Sequence, residues 1–141
     1  IVSRNGSRLE STIVSPKIPH EILEFLKPNI QVVAIDEANF FHNDLIEIIN
    51  KLQEKEMSVL VSGLDLDFRG EPFGPVPYLL SLADKVVKMH ASCDYPHCGM
   101  PANRTQRLIN GKPAHYKDSL ILVGDQEYEA RCLEHHEVPK Y

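Results

Sequence analysis

Two short apolar runs, Gln31-Val-Val-Ala-Ile35 and Ser58-Val-Leu-Val-Ser62, flank an amphipathic stretch, and no other feature constrains the chain as strongly. Both runs are rich in β-branched residues and bounded by polar ones, as strands covered on both faces are. Between them Asn43 is placed to cap a helix running to about Lys55, with Leu45, Ile46, Ile48, Ile49 and Leu52 on one face. Strand, helix and strand within about 35 residues read as a right-handed parallel crossover unit. The fold class is therefore α/β.

On the N-terminal side, Ser11 to Ser15 reads as a further strand, followed by a helix that opens at Pro19 and ends near Pro28. On the other side, Phe68 to Pro77 is a loop rich in glycine and proline with Phe73 as an apolar anchor. A short helix over Tyr78 to Ala83 then leads into Lys85-Val-Val-Lys-Met-His90, a third strand of the sheet. From Cys93 onward the pattern changes to short strands and turns. This places the division at residue 91, with a core over 1–91 and a small β subdomain over 92–141.

Hydrophobic residues at 43% and charged residues at 25% fit a globular protein and exclude a disordered one. A net charge of −5 with no basic run argues against a nucleic-acid surface. No run reaches the roughly 18 apolar residues of a membrane helix, and no signal-peptide pattern opens the chain, which predicts a cytoplasmic location away from membranes.

The three cysteines stand as Cys93-x4-Cys98 and Cys132-x2-His135. Two close pairs on separate turns supply the four soft or borderline ligands of a tetrahedral Zn²⁺ site. Pro96 and Gly99 suit the tight turn that brings two sulfurs to one ion. A β subdomain of about 45 residues has little core of its own, so a metal would stabilise it. Four protein ligands leave no open position, which makes the ion structural. On spacing alone His97 and His136 are rivals for the fourth ligand position.

Asp36 and Glu37 sit at the C-terminal end of a buried strand, where open α/β sheets bind ligands. An aspartate there can hold Mg²⁺, and the neighbouring glutamate can serve as a base. The pattern alone also fits a solvated strand end. The phosphate-cradling G-x-x-x-x-G-K-S/T motif is absent from the 141 residues. Phe40, Phe41, Phe68 and Phe73 follow strand ends and suit an aromatic pocket for a flat ring as well as they suit a core.

These segments together resemble the type II, zinc-containing thymidine kinases. Ala34-Ile-Asp-Glu-Ala-Asn-Phe-Phe41 is similar to the I-D-E-x-Q-F-F motif of that family, with Asn39 where glutamine is usual. The run Ser62-Gly-Leu-Asp-Leu-Asp-Phe-Arg-Gly-Glu-Pro-Phe-Gly74 resembles its thymidine-site loop. Arg104 to Ala114 and Val123 to Cys132 resemble the lasso that closes over the nucleoside. The spacing of four within the first cysteine pair departs from the family's usual two.

The resemblance implies a RecA-like P-loop sheet, incomplete at the N-terminus and lacking the Walker A segment, with a zinc-ribbon-like lasso subdomain. It implies transfer of the γ-phosphoryl of ATP to the 5′-hydroxyl of thymidine, in a homotetramer inhibited by dTTP. By position, Glu37 would accept the hydroxyl proton and Asp36 would assist Mg²⁺. Phe40, Leu64, Phe68, Phe73, Thr105, Ile121 and Tyr128 would contact the nucleoside, and Cys93, Cys98, Cys132 and His135 would bind zinc. The absent phosphate loop predicts that this stretch alone is inactive. It also motivates an alternative, a zinc-stabilised nucleoside-binding or oligomerising remnant without catalysis.

Overall fold

The computed structural model describes residues 10–121 and 127–141. Residues 1–9, and residues 123–126 of the lasso-like motif, lie outside the described residues. The chain divides into two compact units, 1–63 and 64–141.

The first unit is built on a parallel pair of strands, β1 (Val32–Ile35) and β2 (Ser58–Val61), with Val32 opposite Ser58 and Ile35 opposite Val61. Between them runs α2 (Leu45–Glu54), which packs on β2. Leu45, Ile48, Ile49 and Leu52 recur at helical spacing, and all four are buried. The helix does not use Asn43 as a side-chain cap. Asp44 occupies the cap position without a side-chain bond, and the Asn43 carbonyl accepts from the Ile46 N–H at 3.0 Å. At the other end Glu56 turns left-handed at φ 57°, and the Met57 N–H reaches the Leu52 carbonyl at 3.1 Å. This closing turn lets β2 begin one residue later.

The upstream expectations shrink. Residues 11–15 form no strand, and Ile13 is 92% exposed. The helix expected from Pro19 to Pro28 is the single turn α1 (Glu21–Glu24), which buries Ile22 alone. One buried side chain gives too little apolar stripe to extend a helix against Pro28. Among the described residues the parallel sheet has two strands, because the third expected strand does not form. Residues 85–90 are unpaired and exposed throughout. Their adjacent valines would suit burial on both faces, yet neither face is covered, and Lys88 is held instead by Asp65 at 2.9 Å.

The second unit opens with the loop over 64–75. The helix α3 (Val76–Leu82) begins two residues earlier than expected, with Pro77 in its first turn, and buries Val76 and Leu79. Among the described residues five short strands follow. β3 (Ala91–Ser92) pairs antiparallel with β4 (Pro101–Ala102). β5 (Arg104–Ile109) lies between β6 (Lys112–Pro113) and β7 (Glu127–Arg131), both antiparallel to it. Asn110 and Gly111 join β5 to β6 with φ of 52° and 72°, the two-residue hairpin turn for which Asn-Gly is the strongest short signal. Cys93, Ala102 and Cys132 form a buried cluster with Cys98 and Ala130 against it. A set of small apolar side chains this limited is a weak core without a cross-link.

Candidate active site and metal centre

The strand-end carboxylates are presented by a strained turn. Ser62, just past β2, donates its Oγ to Asp36 Oδ1 at 2.5 Å, and the Glu37 N–H donates to the same oxygen at 3.0 Å. Glu37 itself sits at φ 55°, a left-handed conformation that costs a glutamate about 1–2 kcal/mol. The turn is held by Ala38 N–H to the Ser62 carbonyl at 2.9 Å and by Phe40 N–H to the Glu37 carbonyl at 3.0 Å. Gly63 makes this possible. A Cβ there would lie 2.9 Å from Asn39 Oδ1 and 3.2 Å from the Ala38 and Asn39 nitrogens. Ala38 and Asn39 are buried beneath the turn, whereas Asp36 and Glu37 are exposed. Asp36, one carboxylate oxygen held by the Ser62 hydroxyl and the Glu37 N–H, lines a shallow hollow with Ser62, Ala34, Ile35, Leu60 and Val61, and Glu37 is exposed next to it in the chain. Such local strain is characteristic of functional positions.

Of the residues expected to contact a nucleoside, Phe40 lies in the first unit, 43% exposed at the end of this turn. The others belong to the second unit. Phe68 and Phe73 are buried there, and Leu64, Ile121 and Tyr128 are exposed. The loop around Phe68 folds on Asp67, whose Oδ1 accepts from the Arg69 N–H at 2.8 Å and the Glu71 N–H at 3.0 Å. Gly70 closes it at φ 80°, and the Phe73 N–H reaches the Asp65 carbonyl at 3.0 Å. The register of β5 and β7 sets Thr105 opposite Ala130 and Arg107 opposite Tyr128. Alternation along a strand then puts Thr105, Arg107 and Tyr128 on one face of the sheet.

Arg107 was not singled out by sequence reasoning, yet it organises that face. Its guanidinium is fully buried and stacks over the Phe68 ring at 3.5 Å from the centroid. Its Nη1 donates to the carbonyls of Ser119 at 2.8 Å and Leu120 at 3.3 Å. Among the described residues Nε and Nη2 find no hydrogen-bond partner. Burying a guanidinium is costly, and the aromatic face and two carbonyls offset part of that cost. Arg69 adds a second cation 5.1 Å from the same ring and donates to the Asp118 carbonyl at 2.7 Å.

The side chains expected to ligate a metal converge as their spacing suggested. Ligand atoms of Cys93, Cys98, Cys132 and His135 all lie within 4.8 Å of one another. Individual separations are 3.8 Å from Cys93 Sγ to His135 Nδ1, 3.9 Å from Cys98 Sγ to Cys132 Sγ, and 3.3 Å from Cys132 Sγ to His135 Nδ1. A tetrahedral Zn²⁺ would space two sulfurs by about 3.8 Å and sulfur and nitrogen by about 3.6 Å, so the donor set fits the ion. The four-residue spacer in the first knuckle is accommodated by left-handed His97 and Gly99, at φ 64° and 63°. It also places Tyr95 flat against the His135 ring, with centroids 3.9 Å apart. Burial pushes the Cys93 thiol up, but backbone N–H groups of Cys132 and Tyr95 and the His135 ring bring it down to about 6. Cys98 receives the Met100 N–H, which lowers it, yet burial and the neighbouring sulfurs leave it raised. His97 is outside the cluster, and His136 turns its ring to Phe68 instead.

A family model described as thymidine kinase matches residues 1–136. Thymidine kinase of Coprothermobacter proteolyticus is 52% identical over 140 residues, covering 99% of this chain and 68% of that relative.

Proposed function

The chain belongs to the thymidine kinase family, and from that premise we propose that it transfers the γ-phosphoryl of ATP to the 5′-hydroxyl of thymidine, giving dTMP. The observation that carries this reading is the turn after β1. A glutamate held left-handed beside a serine-anchored aspartate is costly, and a functional role accounts for the cost.

Phosphoryl transfer asks mainly for positioning and charge neutralisation. Glu37 accepts the proton of the attacking 5′-hydroxyl, for which an exposed carboxylate on a rigid turn is suited. Asp36, fixed by Ser62, assists the Mg²⁺ that accompanies ATP. The thymine ring packs among Phe40, Leu64, Phe68 and Phe73, with Thr105, Ile121 and Tyr128 completing the nucleoside site. Cys93, Cys98, Cys132 and His135 would hold a structural Zn²⁺, which cross-links the weak core around Cys93 and Cys132. The same reading includes a RecA-like core over 1–91 that lacks the Walker A segment, a zinc-ribbon-like lasso subdomain over 92–141, a cytoplasmic homotetramer and feedback inhibition by dTTP.

The test is transfer of labelled γ-phosphoryl from ATP by the full-length protein in the presence of thymidine or other nucleosides. The proposal expects labelled dTMP with equimolar ADP. Saturable thymidine binding without any transfer would replace it with the non-catalytic alternative.

A further inference from the structure

His136 follows a proposed metal ligand directly, but its ring points away from the sulfurs. Its Nε2 lies 2.9 Å from the Phe68 carbonyl, 68 positions earlier in the chain. A carbonyl only accepts, so the bond requires a proton on Nε2. The Phe68 loop meets His136 a second time at its apex, where a Cβ on Gly70 would stand 3.7 Å from His136 Cε1.

His136 is itself immobilised from both sides. His135 belongs to the Cys93–Cys98–Cys132–His135 cluster. Glu137 is fastened to buried Gln106 by two bonds, its N–H to Gln106 Oε1 at 2.8 Å and its carbonyl from Gln106 Nε2 at 2.9 Å. A ring fixed at both neighbouring residues cannot follow a moving loop. The loop must follow the ring.

We propose that His136 is a positioning residue that carries the order of the metal knuckle to the Phe68 loop and so sets the affinity of the nucleoside pocket. Arg107 stacks on the Phe68 side chain while His136 holds its backbone, so ring plane and loop position are fixed by separate contacts. The effect on affinity rests on the thymidine reading above; the effect on the loop does not. A side chain that preorganises a binding loop lowers the ordering cost of binding, so its loss weakens affinity more than it slows chemistry.

The experiment compares wild type, His136→Ala and His136→Gln, since glutamine can present an N–H where Nε2 stood. Zinc content, calorimetric thymidine affinity, KM and kcat, and hydrogen exchange at the Asp67, Gly70 and Phe73 amides are read on each protein. His136→Ala is expected to keep one zinc per chain and its kcat within about twofold. Its thymidine Kd and KM should rise about tenfold, and protection of the three amides should fall. His136→Gln should restore most of both effects. Unchanged exchange at the three amides in His136→Ala overturns the proposal. So does loss of zinc in parallel with affinity when glutamine rescues neither, because His136 would then merely support the metal site. If wild type binds no thymidine, the thymidine reading fails, and the exchange result still decides whether His136 positions the loop.

Discussion

At Gly63 the packing leaves no space for a side chain, and the consequence reaches the proposed base. Alanine there would press on Asn39 Oδ1 and on two backbone nitrogens of the turn that holds Glu37. Backbone nitrogens cannot rotate away, so the turn itself must shift. Gly63→Ala is expected to cost about 1–3 kcal/mol of stability, as overpacking commonly does. It should also lower turnover at least tenfold, because a displacement near 1 Å spoils alignment for transfer. Thermal unfolding and steady-state kinetics on the purified variant check both effects. Asp36 and Glu37 were legible in the sequence because a polar pair closing an apolar strand is a local pattern. Gly63 and Ser62 were visible only as letters of a motif, since their contacts with Asn39 and Asp36 cross from one strand end to the other. Arg107 was hidden for a similar reason. Nothing local marks the middle of β5 as the stacking partner of Phe68, and an arginine on a strand ordinarily reads as solvent-facing.

Among the elements, α2 was the most legible, because a period of 3–4 repeated over ten residues survives most contexts. Its cap was misplaced by one residue, since the Asn43 backbone does the work its side chain was expected to do. Lys85–His90 was read as a strand from composition alone, but a strand needs a neighbour to pair with. The tie between Lys88 and Asp65 is an exposed ion pair, so Lys88→Ala should change stability by less than about 1 kcal/mol. A denaturation midpoint close to wild type checks this. Asn110-Gly111 carried a hairpin signal that sequence reasoning passed over, and it defines how β6 returns onto β5. The metal knuckles were legible through cysteine spacing, whereas the Tyr95 stack on His135 was not. Replacing Cys132 by serine removes a proposed ligand and a buried sulfur at once. Zinc content should fall well below one per chain, and amides of β3, β4 and β7 should lose exchange protection. Retention of full zinc occupancy and full protection in that variant would remove Cys132 from the ligand set.

At the scale of the whole molecule, each unit has its own logic. The first presents carboxylates from a parallel strand end, and the second builds an aromatic and cationic face beside a Cys3His cluster. Sequence reasoning recovered the mixed α/β character because apolar periodicity and cysteine spacing are properties of contiguous stretches. It could not recover the clamp on Phe68, which gathers residues from a loop, a strand and the chain beyond the metal knuckle. The net charge is −5, and among the described residues no helix is long and apolar enough to cross a membrane. The role of Glu37 as the base for phosphorylation of thymidine is tested most directly by ATP-dependent turnover of the full-length protein carrying Glu37→Gln beside wild type. Glutamine keeps the size of the side chain and removes its proton-accepting charge. The account predicts a fall in kcat of at least about a hundredfold, with thymidine affinity and zinc content unchanged. Turnover within about threefold of wild type would contradict it.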